Sequence, residues 1–134
     1  MKEEMYFTLS GTQYYYGTDP LQIGSLFYCE KEPENKHDLE AIRAMLPIAG
    51  PIGYVANSSH TVAHGTFSAG RLFDKMPECF YGRVLFKVDK FVICRVETEH
   101  PDLLQMELTS QLIHIPEIRE MKRTDSVIKK PQRR

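Results

Sequence analysis

Hydrophobic and polar positions alternate in short runs along this chain, and turn-forming residues separate the runs. Met5–Leu9 alternates and is rich in aromatic and β-branched side chains, which predicts a strand ended by Ser10-Gly11. Thr12–Tyr16 continues it as extended chain, up to a turn at Gly17-Thr18-Asp19-Pro20. Ile23–Glu30 is predicted as a second strand. Its apolar members Ile23, Leu26, Phe27 and Tyr28 do not strictly alternate, so one face is only partly exposed. Glu32–Asp38 is a turn by chemistry, because Pro33 fixes φ while Asn35 and Asp38 hydrogen-bond their own backbone. Leu39–Leu46 favours helix by propensity, and Pro47 and Gly50-Pro51 stop it. Ile52–Ala56 is a short strand, and Asn57, Ser58 and Ser68 are helix-start signals in the segment that follows. Tyr81–Val88 and Phe91–Val96 are strands joined at Asp89-Lys90, a tight hairpin without the usual glycine. Beyond Pro101 the pattern changes to a helical turn or two over Asp102–Leu108, then a mixed stretch over Ile113–Ile118.

Several short strands with turns between them predict a mainly β fold, a small barrel or sandwich with minor helical content. The length of 134 residues suits one domain with a real core, and 42% hydrophobic and 26% charged residues are ordinary for a soluble globular chain. The formal net charge of −1 argues against coating of duplex DNA by bulk positive charge. A nucleic-acid site here must therefore be local, built from stacking and a few hydrogen bonds. The charge is uneven: Arg119–Arg134 holds seven basic residues against Glu120 and Asp125, a net +5, which leaves −6 for the residues before it. Such a run reads as a flexible tail with a supporting role in phosphate affinity.

Cys29, Cys79 and Cys94 are odd in number and form no CxxC pair, which gives neither a disulfide framework nor a zinc ribbon, and Cys29 and Cys94, inside apolar strand-like runs, are expected as buried reduced thiols. Met1-Lys2-Glu3-Glu4 holds no apolar signal core, and no apolar run approaches the roughly 20 residues of a membrane span. A cytoplasmic location away from membranes is the expectation. His60 and His64 stand four apart, but two ligands are not a metal site, and Gly65 follows at once. The Gly65–Arg71 loop offers backbone donors to an oxyanion, yet lacks the Gly-Lys-Ser/Thr ending of a P-loop and reads first as a barrel-closing loop. No nucleophile–base pair or carboxylate cluster is apparent. The expectation is a binding module with no catalytic residues, no metal and no cofactor.

Three blocks carry a family resemblance. They are Gly11-Thr12-Gln13-Tyr14-Tyr15-Tyr16-Gly17, then Glu32-Pro33-Glu34-Asn35-Lys36-His37-Asp38-Leu39-Glu40-Ala41-Ile42, then Ile52-Gly53-Tyr54-Val55. Their order and spacing over residues 5–97 resemble the HIRAN domain. The resemblance implies a small closed antiparallel β-barrel, OB-like, with one or two short helices, and it turns Leu39–Leu46 from helix into strand. Residues 1–100 would form the barrel, 101–118 a short extension packed on it, and 119–134 the basic tail.

The resemblance further implies binding of single-stranded DNA at a free 3′-hydroxyl end, with repair or replication suggested by analogy. The residues that would carry this are Gln13, Tyr14, Tyr15, Lys36, His37, Asp38, Tyr54 and Asn57. Tyr14 and Tyr15 are stacking platforms, each base being worth roughly 1–3 kcal/mol. By strand parity Tyr14 and Tyr16 would share one face, with Tyr15 on the other, and Tyr14 is the better candidate for the surface. Asp38 would accept the terminal hydroxyl, since an ionised carboxylate accepts hydrogen bonds and repels a terminal phosphate. An Asx turn or cap is an equal claim on the same side chain. His37 replaces the family's usual tyrosine, Gln13 its arginine, and Ala56-Asn57 a basic position, although Asn57 can donate to phosphate. Lys36, Arg43 and Arg71 are the cations that would compensate. These departures motivate an alternative, a protein-interaction module that kept the barrel and lost nucleic-acid binding.

Overall fold

The structure is a computed structural model that describes residues 4–112. Six strands close into an antiparallel barrel: β1 (Tyr6–Ser10), β2 (Leu26–Lys31), β3 (Ile42–Leu46), β4 (Gly50–Val55), β5 (Cys79–Val88) and β6 (Phe91–Glu97). Around the barrel the order is β1-β4-β3-β2-β5-β6, and β6 pairs with β1 to close it. A one-turn 3₁₀ helix spans Thr12–Tyr14, and two α-helices follow, α1 (Ala69–Lys75) and α2 (Pro101–Leu112). The expected fold class, mainly β with a closed barrel and short helices, is the observed one.

Alternation explains most of the barrel. In β3, Ile42, Ala44 and Leu46 are buried, while Arg43 and Met45 face outward. In β6, Val92, Cys94 and Val96 do the same. The interior is centred on Phe7, whose ring meets Phe27 and Phe80 edge-on at 6.1 and 6.4 Å. Gly82 of β5 leaves the space those rings need: a Cβ there would come within 2.7 Å of Phe27 and 2.8 Å of Phe7. β1 is covered on both sides. Its outward Thr8 is buried under residues 63–67, sharing a hydrogen bond of 2.9 Å with Thr66 and accepting one from the Ala63 amide at 3.2 Å.

The structure revises several predicted elements. Thr12–Tyr16 is not extended. Gly11 takes φ 72°, outside the range most residues adopt, and breaks the strand into the 3₁₀ turn. The second strand starts at Leu26 rather than Ile23, which is exposed. Leu39 is 70% exposed in a turn, and strand begins at Ile42. Ile42–Leu46 is strand, as the resemblance implies, and its helix propensity is overridden because the segment is central, paired with both β2 and β4. Asn57 and Ser58 start no helix; Ser58 instead accepts from the His60 amide at 3.2 Å in a local turn. Ser68 does cap α1, accepting from the Arg71 amide at 3.3 Å.

The β5–β6 hairpin turns at Asp89, which takes φ 54° in place of a glycine. Its register shifts between Val84 and Phe86, a bulge that twists the ribbon. α2 is longer than the predicted turn or two. It lies on the barrel through buried Leu104 and Leu108, an Arg83–Glu107 ion pair at 2.6 Å, and Gln111, whose side-chain amide joins both backbone groups of Leu26. Cys29 and Cys94 are buried free thiols as expected, and Cys79 is exposed. Among the described residues no helix is long and apolar enough to cross a membrane. The stretch 113–118 and the basic run 119–134 lie outside the described residues.

Candidate nucleic-acid interface

The turn between β2 and β3 is organised by one side chain. Asn35 Oδ1 accepts from the backbone amides of His37 at 2.8 Å and Asp38 at 3.0 Å, and Asn35 Nδ2 donates to Glu32 Oε1 at 2.9 Å. Those bonds fold the loop back so that Asp38 faces the end of β4. Asp38 is itself held twice. Its Oδ1 accepts from the Glu40 amide at 2.9 Å, the Asx turn foreseen for it, and its Oδ2 accepts from Asn57 Nδ2 at 2.9 Å. Asn57 Oδ1 accepts from the Gly70 amide at 2.9 Å, which ties the same arrangement to the first turn of α1.

A cleft of about 410 Å³ opens beside this carboxylate, with His37, Asp38, Tyr54, Asn57, Ser58 and Thr61 among its walls. Four of the eight proposed site residues therefore converge. A carboxylate has about four lone-pair sites, and two of those on Asp38 are used internally, so acceptor capacity remains. His37 is exposed at the rim and Lys36 is exposed next to it.

The tyrosines are arranged by the 3₁₀ turn rather than by strand parity, because successive side chains there are about 120° apart instead of 180°. Tyr14 stands 68% exposed. Tyr16, expected on the same face, packs against the core and donates its hydroxyl to the Ala49 carbonyl at 2.9 Å. Tyr15 is half-buried, within electrostatic reach of Tyr54. Gln13 is exposed and lines a separate cleft of about 270 Å³ with Lys90 and Phe91. That cleft shares Ser10 and Thr61 with the Asp38 cleft, so the two adjoin.

On the other side a third cleft, of about 530 Å³, is walled by Glu32, Glu34, Asn35 and Tyr54. Tyr54 donates its hydroxyl to Glu32 Oε1 at 2.9 Å. Burial, and then that hydrogen bond, push the phenol well above its ordinary value. Arg43, directly across the β3–β4 pair from Tyr54, bonds Glu30 at 2.9 Å and Glu32 at 3.0 Å. It is thus spent on the barrel wall and does not compensate for Gln13. Arg71 lies 4.2 Å from the Phe67 ring centroid, on α1. Asn57, read from sequence as a phosphate donor, uses one hydrogen of its amide to position Asp38. Asn35, Ser58 and Thr61 were not singled out as site residues. Asn35 had a signal, since an Asn two and three residues before turn amides is placed to bond both; Ser58 and Thr61 had none.

Residues 2–66 match the model of the HIRAN domain, a nucleic-acid-binding family, and this segment holds all eight proposed site residues. Two solved structures are similar to the chain. The HIRAN domain of human HLTF is 16% identical, with 80% of this chain and 87% of that chain covered at a TM-score of 0.49. A protein from Lactobacillus plantarum is 18% identical, with 72% and 98% covered at a TM-score of 0.45. No curated protein matches the chain. The match covers the segment 2–66, which supplies four strands of the barrel and the Asp38 turn, and it is this part of the chain that is similar to the HIRAN domain.

Proposed function

We propose that this protein is a binding module, not an enzyme, that captures the free 3′-hydroxyl end of single-stranded DNA in the Asp38 cleft. The observation that carries the reading is the doubly anchored Asp38 carboxylate, held by Asn57 and the Glu40 amide beside an open cleft. A fixed acceptor with lone pairs to spare suits a sugar hydroxyl and disfavours a terminal phosphate. Tyr14, exposed on the neighbouring turn, offers a base a stacking surface worth roughly 1–3 kcal/mol. A cytoplasmic role at DNA ends, in repair or replication, is the setting we assign to it.

Fluorescence anisotropy tests this with three labelled oligonucleotides at one salt concentration: 3′-hydroxyl, 3′-phosphate and circular. The 3′-hydroxyl strand should bind tightest, and Asp38→Asn and Tyr14→Ala should weaken it. Equal affinity for all three, or wild-type binding by Asp38→Asn, overturns end capture. One observation favours a second reading, a protein-interaction module. The cation on the barrel wall, Arg43, is neutralised, and Glu32 and Glu34 make the adjoining cleft acidic. A stable protein partner, with no oligonucleotide shift even at low salt, would favour that reading.

A further inference from the structure

We infer that Lys90, at the β5–β6 turn, is the phosphate-binding residue of this groove, and that a bound strand leaves the Asp38 cleft toward it. The inference rests on the functional reading above and goes beyond it, since Lys90 lies outside the matched segment 2–66.

The three clefts form a series. The acidic one adjoins the Asp38 cleft through Asn35 and Tyr54, and the Gln13 cleft adjoins it through Ser10 and Thr61. A strand whose end is held at Asp38 has two ways out. One passes Glu32 and Glu34, where each phosphate meets like charge. Glu32 is not free to rotate away, since it bonds Asn35, Tyr54 and Arg43 at once. The other way passes the Ser10 and Thr61 hydroxyls toward Gln13 and Lys90. Polyanions follow the more positive path, and in a narrow groove the field of a single ammonium is concentrated.

Among the described residues Lys90 is the one lysine or arginine lining these three clefts. Most other described cations are engaged elsewhere. Arg83 and Arg95 pair with Glu97, Lys87 donates to the Thr18 carbonyl at 3.0 Å, and Lys31 sits 4.5 Å from the Phe73 ring centroid. Lys90 Nζ lies 5.7 Å from the Phe91 ring centroid, and its turn is fixed by Asp89 at φ 54°. An exposed ammonium on a defined turn, lining the same cleft as Gln13, supplies the positive charge that Gln13 lacks.

The test is anisotropy of the full chain with a short 3′-hydroxyl oligothymidylate across a salt series. The proteins are wild type, Lys90→Gln, Lys90→Glu, Asp38→Asn and, as a control on α1, Lys75→Gln. Lys90→Gln should weaken binding about three- to ten-fold at low salt. It should also flatten the log–log salt slope by about 0.7, the share of one neutralised phosphate on a single strand. Lys90→Glu should weaken binding further, while Lys75→Gln changes neither quantity. The preference for 3′-hydroxyl over 3′-phosphate should survive both Lys90 changes, because Lys90 acts away from the terminus. Wild-type affinity and slope in Lys90→Glu, with Asp38→Asn still defective, would refute the exit path and leave the functional reading standing. No binding by the wild type would refute both.

Discussion

Asn57→Ala removes the side chain that joins the candidate site to helix α1. Two hydrogen bonds go at once, Nδ2 to Asp38 Oδ2 and the Gly70 amide to Oδ1, each 2.9 Å long. A bond to a charged acceptor is worth about 1.5–3 kcal/mol and a neutral one about 0.5–1.5. Both sit in a half-buried region where water can replace part of the loss, so a net cost of about 1–3 kcal/mol is expected. For a domain of this size that lowers Tm by roughly 4 °C per kcal/mol. Asn57→Asp is sharper. It sets a second carboxylate about a hydrogen bond's length from Asp38, so one of the pair must take up a proton. Its instability should therefore be largest at pH 7 and relieved on acidification, whereas Asn57→Ala should cost nearly the same throughout. Urea unfolding followed by circular dichroism at pH 7 and pH 4.5 measures both, and amide exchange at Gly70 reports the local bond. A wild-type urea midpoint in Asn57→Ala, with Gly70 equally protected, would refute the coupling of Asp38 to α1.

Two further outcomes follow from the packing. Gly82→Ala drives a methyl group into the fully buried Phe7 and Phe27 rings, and overpacking of this kind costs about 1–3 kcal/mol, readable as a lower urea midpoint. The hydrogen bond from Arg83 holds the Glu107 carboxyl below its ordinary value. Its contribution is accordingly present above the ordinary carboxylate range and is lost as pH falls through the lowered value. Glu107→Gln should remove under about 1 kcal/mol of stability at pH 7 and flatten that acid dependence, as monitored by urea midpoints from pH 7 to pH 3.

Much of this barrel can be read from residue pattern because its physics is local. Strands β5 and β6 carry their alternation openly, and Ser68 announces the start of α1 through a hydroxyl placed to accept from its own first turn. The Glu32–Asp38 turn is equally plain, since Asn35 bonds amides two and three residues ahead. Local pattern taken alone misleads where distant partners decide. Ile42–Leu46 prefers helix in isolation and becomes strand because β2 and β4 hydrogen-bond it on both edges. The Tyr14–Tyr16 series looked like alternation, yet Gly11 turns the chain and sends Tyr14 outward and Tyr16 inward to the Ala49 carbonyl.

The candidate site divides the same way. Residue types and short spacings by themselves determined the two turns and the carboxylate beside the Asn35 loop, because each depends on bonds spanning only a few residues. Only the closed barrel decided that Asn57 would grip Asp38 from 19 residues away. Barrel closure likewise decided that Arg43 would be consumed by Glu30 and Glu32, and that Lys90 would line one cleft with Gln13. Those meetings depend on strand order and register around the ring. Neither quantity is written in any single segment, because each is the property of the pairing between segments.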